Sequence, residues 1–228
     1  MSISNPNVAT ELESDLQQTY ARRFEGQELR RKQVWEVLCN SFFSRWVRPQ
    51  DTVLDLGAGY CEFINSIQAG KKLALDLNPA TATHAAPGVA VISQDICKPW
   101  DIAASSVDVV FTSNFFEHLE NKQGLVHCLK EIRRVLKPKG HFIALGPNIK
   151  YAYKVYWDYF DHYLPLSDRS MVEGLELNGF QLEEVIPRFL PFTMRGSMPS
   201  HPALVRLYLA IPLAWRIMGE QFLIVART

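Results

Sequence analysis

The stretch from Val53 to Phe63, VLDLGAGYCEF, constrains the fold of this 228-residue chain more than any other. A short buried strand runs into a glycine turn, and a helix is predicted to follow. Such a unit commonly holds a nucleotide, because glycines let the backbone approach a ligand closely. The pyrophosphate fingerprint G-x-G-x-x-G would place a glycine where Glu62 stands. A carboxylate would repel a pyrophosphate there, so the pattern favours a ligand that is not strongly anionic at this end.

Strands and helices alternate along the rest of the chain. Apolar runs predict strands at 53–56, 72–77, 89–92, 107–112, 141–145, 180–186 and 221–226. Apolar residues at helical spacing predict helices at 12–47, from Gly59 to near Gly70, at 122–135 and at 168–179, with a turn at 137–140. This alternation predicts an α/β fold with a parallel sheet covered on both faces. Ligands of such sheets bind at the carboxyl ends of the strands.

Composition argues against several classes of protein. Lysine plus arginine equals aspartate plus glutamate, and a net charge of zero disfavours nucleic acid as a partner. The four cysteines, Cys39, Cys61, Cys97 and Cys128, form no C-x-x-C pair, so neither a zinc site nor a disulfide framework is expected. The first residues lack the basic start and apolar run of a signal peptide, which predicts a cytoplasmic protein with reduced thiols.

The most apolar region runs from Ala203 to Ala226. Arg206, Pro212 and Arg216 interrupt it, so we expect no transmembrane segment. The sequence favours a core helix that packs on the sheet. The alternative is an interfacial helix at about 202–218 that makes peripheral contact with a membrane through its leucines and arginines.

Three acids, Asp55, Asp76 and Asp95, fall at the ends of the first three predicted strands. Asp76 follows Asp55 at about the 20-residue spacing at which an acid binds the ribose of a nucleotide. Asp95 can accept a hydrogen bond from an exocyclic amine of a base, and Ile96 can pack on the ring. One such acid is often only a helix cap, whereas three in register with a glycine turn indicate a nucleoside site.

Five stretches resemble motifs of the class I S-adenosylmethionine-dependent methyltransferases. They are VLDLGAG, LALDLNP, SQDI, VDVVFTSNFFEHL and EIRRVLKPKGHFIALGPN, and they cover about residues 53–148. The resemblance implies a Rossmann-like, doubly wound, seven-stranded sheet whose last strand is antiparallel. It also implies S-adenosyl-L-methionine as the cofactor and S-adenosyl-L-homocysteine as the product. A sulfonium and an amino acid, in place of a pyrophosphate, suit a site that is rich in carboxylates.

The resemblance further implies which residues bind the cofactor. They are Asp55, Gly57, Ala58 and Gly59 for the methionine part, Asp76 with Leu77 for the ribose, Asp95 with Ile96 for the adenine, and Asn114 with Phe115 near the sulfonium. An N-terminal helical cap would add Tyr20 and Arg22 over the cofactor. Cys61 stands where many family members have a third loop glycine, and we expect a side chain this small to be tolerated.

His118 and His162 are the candidate catalytic residues. Methyl transfer is an in-line displacement, and a general base helps when the acceptor is a hydroxyl. His118 follows the fourth strand, and its alternative is a structural histidine at a helix start. His162 lies in the aromatic segment 151–164, which is either a substrate wall or a lid over the core. The sequence identifies no clustered acids for a metal site.

These expectations describe a single methyltransferase domain over 1–228, with a helical cap at 1–50, a cofactor-binding core at 51–148 and a substrate-side segment with the final strands at 149–228. The predicted reaction is O-methylation of a small-molecule acceptor of the glycan, lipid-linked or secondary-metabolite class. The alternative is a non-catalytic S-adenosylmethionine-binding regulatory or partner protein. Zero net charge disfavours RNA methylation, and the run 113–116, SNFF, differs from the Asn-Pro-Pro-Tyr motif of amide and adenine N-methylation.

Overall fold

A computed structural model describes Gly26, residues 28–192 and residues 201–228. The seven strands are β1 (Thr52–Leu56), β2 (Lys71–Asp76), β3 (Val89–Ser93), β4 (Val107–Ser113), β5 (Leu136–Pro147), β6 (Gln181–Ile186) and β7 (Gln221–Arg227). The α-helices in these residues are α1 (Glu28–Ser41), α2 (Glu62–Ser66), α3 (Thr81–His84), α4 (Lys122–Val135), α5 (Ile149–Tyr156), α6 (Asp168–Leu177), α7 (Pro202–Ala210) and α8 (Pro212–Met218).

The strands form one sheet in the order β3-β2-β1-β4-β5-β7-β6. The five strands from β1 to β5 pair in parallel, and β7 is antiparallel to both β5 and β6. This is the doubly wound sheet with an antiparallel last strand that the sequence predicts. The order reverses between β1 and β4, so a crevice opens at the carboxyl ends of these two strands.

Both faces of the sheet are buried, as its near-continuous apolar strands require. On one face, Leu54 and Leu56 of β1 pack with α4 and α6, and on the other face Val53 packs with residues of α1 and α2. The second face is unusually aromatic: the rings of Phe63 and Phe111 stack with centroids 3.6 Å apart. The helices on this face therefore sit firmly over the carboxyl ends of β1 and β4.

The strands lie where the sequence predicts them, except at one turn, but the helices are shorter: α1 ends at Ser41 instead of residue 47, and α2 at Ser66 instead of near Gly70. The helices α3 and α5 were not predicted. The predicted turn at 137–140 lies inside β5, which begins at Leu136 because that residue already pairs with Val107. The register then shifts between Val107 and Val109, and Lys139 adopts a φ of 65°. The extra residues form a bulge rather than ending the strand. Gly179, with a φ of 81°, caps α6 as predicted.

The C-terminal apolar region contradicts the favoured prediction of a core helix. Two short helices, α7 and α8, meet at Pro212, whose ring starts the second helix. Leu209 is the buried residue of α7, and α8 has none. The Trp215 indole donates to the Tyr208 carbonyl at 2.8 Å, which joins α8 to α7. The Tyr208 hydroxyl donates to the Phe189 carbonyl at 2.6 Å, which joins α7 to the segment that follows β6. In the described ranges, no helix is long and apolar enough to cross a membrane.

Candidate active site

The loop after β1 keeps an unusual backbone at three positions. Gly57, Gly59 and Cys61 have φ angles of 69°, 49° and 59°, all in the left-handed region. A Cβ on Gly57 would lie 2.7 Å from ring carbons of Phe115, so this residue must be glycine for space as well as for conformation. The Gly57 amide donates to the Leu75 carbonyl at 2.9 Å. The loop is therefore fixed between the ends of β2 and β4.

Cys61 adopts a glycine-like conformation although it carries a side chain. Such a backbone costs a non-glycine residue about 1–2 kcal/mol. Its thiol is fully buried and lies 3.7 Å from the Thr81 carbonyl, to which it can donate. Burial, with the negative charge of Asp55 as a smaller cause, raises the pKa of Cys61 to about 12. A thiol this inaccessible and this weakly acidic is a structural residue rather than a nucleophile.

Asp76 joins the ends of β1 and β2. Its two carboxylate oxygens accept from the backbone amides of Gly59 and Asn78, each at 2.8 Å. Burial raises the pKa of Asp76, and these amides act in the opposite direction. The next residue, Leu77, is 58% exposed although it is apolar. Asp76 and Leu77 thus lie at an open surface beside the glycine loop, which we call the shelf.

The two adenine candidates on the loop after β3 lie in different environments. Asp95 is partly exposed, accepts from the Cys97 amide at 2.9 Å and lies 3.5 Å from the Lys98 ammonium. Ile96 is buried in the core cluster that contains Leu54 and Leu75. The carboxylate of Asp95 is therefore accessible to a ligand on the shelf, whereas the Ile96 side chain packs inward.

A cavity of about 460 Å³ opens next to the glycine loop. This volume lies in the range of cavities that hold organic ligands. Of the residues predicted from the sequence, it is lined by Asp55, Gly57, Ala58, Gly59, Asn114, His118 and His162. Five others lie outside its wall, namely Asp76, Leu77, Asp95, Ile96 and Phe115. Tyr20 and Arg22 fall outside the described residues.

Two acids line the cavity beside the glycine loop. Asp55 is 4% exposed, and burial raises its pKa well above the ordinary value. The neighbouring charges of Glu62 and Asp76 add to this rise, and the Ile64 amide opposes it. Burial also raises the pKa of Glu62, against the effect of Arg31, whose guanidinium lies 2.6 Å from the carboxylate. The sequence analysis missed Arg31, because only the fold shows that Glu62 is partly buried and pairs with a cation of α1.

Three further polar side chains meet deeper in the cavity: Glu117, His118 and His162, which we call the EHH cluster. Each offers a ligand-capable atom, and these atoms all lie within 4.8 Å of one another. Backbone pairing brings the segments together, because the amides of Tyr163 and Leu164 donate to the Glu117 carbonyl at 2.8 and 3.1 Å. The structure therefore assembles both predicted catalytic histidines at one point.

Hydrogen bonding and packing orient the two histidine rings. His118 Nδ1 lies 2.8 Å from the Asp161 carbonyl oxygen. A carbonyl can only accept, so Nδ1 carries the proton, and Nε2 of the neutral ring keeps a lone pair. The His162 ring is 6% exposed and stacks on Tyr159 with centroids 4.8 Å apart and planes at 20°. The ring of Tyr156 packs against it at 4.7 Å.

Glu117 is the member of the cluster that the sequence analysis did not select. Its side chain is 3% exposed, and no hydrogen-bond donor among the described residues reaches its Oε1. Burial raises the pKa of Glu117 to about 7, although His118 opposes the rise. Its position directly before His118 in the run EHL was the available signal. A buried carboxyl without a donor is costly unless it serves a ligand.

Solved structures share this fold at low sequence identity. A SAM-dependent methyltransferase from Archaeoglobus fulgidus is 18% identical, with a TM-score of 0.66 over 92% of this chain and 98% of its own. A chain in the complex between the Haloferax volcanii Trm112 methyltransferase activator and a methyltransferase is 19% identical, with a TM-score of 0.64 over 90% of this chain and 93% of its own. Geranyl diphosphate C-methyltransferase from Streptomyces coelicolor is 13% identical, with a TM-score of 0.59 over 83% of this chain and 78% of its own. None of the curated proteins matches the chain significantly.

A family model described as a methyltransferase domain matches residues 54–144, which span β1 to β5 and the glycine loop. This part of the chain, from Leu54 in β1 to Ala144 in β5, is thus similar to a methyltransferase domain. The match supports S-adenosylmethionine-dependent methyl transfer as the activity, with S-adenosylmethionine as the cofactor.

The far end of the cavity is apolar. Helices α7 and α8 provide one wall, with the side chains of Leu204, Val205, Leu207, Ile211, Ala214 and Met218. Leu190 and Phe192 add further apolar lining. One side of the pair of helices thus lines the cavity, whereas Leu209, Tyr208 and Trp215 pack on the core cluster around Phe43. The most exposed apolar residues of the two helices, Leu213 and Ile217, line neither.

We expect Asp55→Asn to stabilise the folded protein at neutral pH. The raised pKa means that the folded state holds the Asp55 proton more tightly than the unfolded state, so this carboxyl destabilises the fold as the pH rises above its unfolded pKa. Thermal melts should show a higher melting temperature than wild type at about pH 7.5, by about 2–4 °C per kcal/mol gained, and a smaller difference at about pH 4.5.

Asp108→Asn is the matched control with the opposite sign. Burial opposes ionisation of Asp108, but its hydrogen bonds from Lys137 at 2.7 Å and from the Thr52 amide at 2.9 Å outweigh it and lower the pKa. This carboxylate stabilises the fold above its unfolded pKa, and the contribution is lost as the pH falls through the lowered value. The control should melt below wild type at neutral pH. An Asp55→Asn variant that also melts lower there would refute the assignment.

Proposed function

We propose that this protein methylates an oxygen atom of a small, predominantly apolar acceptor. The observation that carries the proposal is the single cavity that joins the glycine loop, the EHH cluster and the apolar wall of α7 and α8. A free glycan would leave its hydroxyls unpaired against that wall. Of the acceptor classes that the sequence suggests, the apolar lining therefore favours a lipid-linked molecule or a hydrophobic secondary metabolite.

The cofactor is proposed to span the shelf and the cavity. Its adenosine would lie on the open shelf, with the ribose hydroxyls near Asp76 and the base near Leu77 and Asp95. Its methionine part would enter the cavity over the glycine loop. There the buried carboxylate of Asp55 suits the ammonium and sulfonium charges, and Arg31 of α1 is a nearby cation for the carboxylate.

The reaction follows from this placement. The acceptor oxygen attacks the methyl carbon, the carbon–sulfur bond breaks, and its electron pair goes to the sulfur, which becomes a neutral thioether. The chain's contribution is to hold the two partners in line and to exclude water. His118 or His162 is proposed to act as the general base, with an imidazole nitrogen that accepts the proton of the acceptor hydroxyl as the oxygen attacks. Such assistance contributes roughly 10²–10⁴-fold to the rate.

A non-catalytic binding protein is the weaker alternative. It would need the shelf and the glycine loop but not the EHH cluster. Burial of Glu117 with no donor to Oε1 among the described residues lowers the stability of the fold, and such perturbed groups concentrate at functional sites. The cluster therefore favours catalysis.

We expect Asp76→Ala to weaken S-adenosylmethionine binding by at least about tenfold, because the variant loses the ribose acceptor and the link to the Gly59 amide. Isothermal titration calorimetry measures the effect, and Asp101→Ala, at an exposed loop position, is the control. Gly57→Ala should weaken binding as well, since its Cβ would displace Phe115. Unchanged affinity in Asp76→Ala would remove the ribose assignment.

We expect a panel of alcohols with increasing hydrocarbon length to show rising kcat/KM, measured by formation of S-adenosylhomocysteine. Leu207→Asp should raise KM for the longer alcohols, because it places a charge on the apolar wall. Leu177→Asp, on the exposed surface of α6, is the matched control. An acceptor preference that ignores chain length, or equal effects of the two variants, would argue against an apolar acceptor.

We expect His162→Ala to lower kcat on the best alcohol by about 10²-fold while the affinity for S-adenosylmethionine stays unchanged. The reason is that His162 lies in the EHH cluster, away from the shelf. Undiminished turnover would favour the alternative role of the 151–164 segment as a lid.

A further inference from the structure

We propose that Glu117, His118 and His162 form a binding site for a divalent transition-metal ion such as zinc, manganese or cobalt. The binding of the ion stands on the cluster alone, whereas its catalytic role rests on the function proposed above. The sequence analysis identified no metal ligands, because these residues come from two segments that only the fold brings together.

The donor set has the composition of a catalytic metal site. One carboxylate and two imidazoles suit zinc and the neighbouring divalent metals, and three protein ligands leave positions open for a further ligand. The donor atoms lie within 4.8 Å of one another. Metal–ligand bonds of about 2.0–2.2 Å would draw them slightly closer. Small side-chain movements are enough for this closure.

Glu117 provides an independent indication of a missing ligand. It is 3% exposed, it lines the cavity, and its Oε1 has no donor among the described residues. A buried carboxylate of this kind is expected to pair with a cation. Each imidazole of the cluster brings a nitrogen within 4.8 Å of a Glu117 oxygen, and a metal ion bound by all three side chains would satisfy the carboxylate.

The surroundings of the histidines resemble the outer shell of a metal site. His118 donates from Nδ1 to the Asp161 carbonyl at 2.8 Å, which fixes the tautomer that presents Nε2. Asp161 also brings a carboxylate oxygen to 3.4 Å from the same nitrogen. The ring of His162 is held by Tyr156 and Tyr159. Both imidazoles are therefore oriented in advance.

The site is accessible from the acceptor end of the cavity. An acceptor hydroxyl that occupies an open position on the ion would lose its proton more readily, and the proton would pass to water. The bound oxygen would then attack the methyl carbon, with the electron pair of the carbon–sulfur bond going to sulfur as before. The histidines would act as metal ligands, and their loss would still lower kcat.

The test is a titration of the full-length protein, freed of metal by chelation, with Co²⁺. Visible absorption reports the coordinated ion, and competition with Zn²⁺ and Mg²⁺ compares soft and hard metals. We expect one equivalent to bind, with Zn²⁺ displacing Co²⁺ and Mg²⁺ failing to do so. Glu117→Gln and His162→Ala should each weaken Co²⁺ binding by at least about 100-fold. The reason is that loss of a residue that only hydrogen-bonds to a metal ligand already lowers metal affinity roughly 10–100-fold.

Two control variants address other donors in the chain. His141→Ala removes a histidine that lies 3.2 Å from Glu183 at the sheet edge, and Cys97→Ser removes an exposed thiol. Both should retain the Co²⁺ spectrum. A thermal melt checks that each variant folds, and His118→Gln replaces Glu117→Gln if the latter does not.

Three outcomes would overturn the metal site: no bound Co²⁺, binding that survives the Glu117 and His162 variants, or binding lost in either control. Acceptor assays separate this proposal from the proposed function. Methylation of an apolar alcohol by protein that binds no metal would refute the site alone. One equivalent of cluster-dependent metal with no methylation of any alcohol would refute the acceptor assignment alone.

Discussion

The left-handed backbone of the glycine loop is the constraint on which the rest of the site depends. It lets β1 turn into α2 without covering the carboxyl end of the sheet. At Gly57 the absent side chain also makes room for the Phe115 ring. Phe115 precedes the short helical turn that carries Glu117 and His118, so the position of the EHH cluster follows from the same loop that approaches the cofactor. One glycine thereby sets the position of the EHH cluster relative to the glycine loop, where the methyl donor is proposed to bind.

Stability and function oppose each other in this cavity. Burial raises the pKa of Asp55, Glu62, Asp76 and Glu117, so each carboxyl resists ionisation in the folded state. Arg31 and backbone amides offset only part of this cost. A core chosen for stability alone would replace such groups with apolar ones. Their retention is understandable if the ligands bring positive charge, which the sulfonium and ammonium of the cofactor do.

Local patterns predicted the sheet well, because each strand is an apolar run and the acid or glycine that ends it adjoins it in sequence. Asp55, Gly57 and Asp76 could be placed for this reason. The meeting of Glu117 with His162 could not, since it depends on two backbone hydrogen bonds between distant segments. The pairing of Arg31 with Glu62 is equally non-local. For α7 and α8, the sequence analysis recognised the apolar composition but wrongly predicted a core helix. Hydropathy cannot distinguish a helix that covers a core from one that lines a ligand cavity.

The charges in the cavity also bear on the direction of the reaction cycle. The cofactor enters with a positive sulfonium, and the product leaves with a neutral thioether. In the placement proposed above, the positive charge of the cofactor favours ionisation of Asp55, and this charge partner is lost at the moment of transfer. The cavity would then hold the product less strongly than the cofactor through this interaction. An acceptor methylated on oxygen, as proposed, would also have lost its hydroxyl donor, which would weaken its contact with the EHH cluster. The same buried acids that destabilise the fold would therefore favour binding of the cofactor and release of both products.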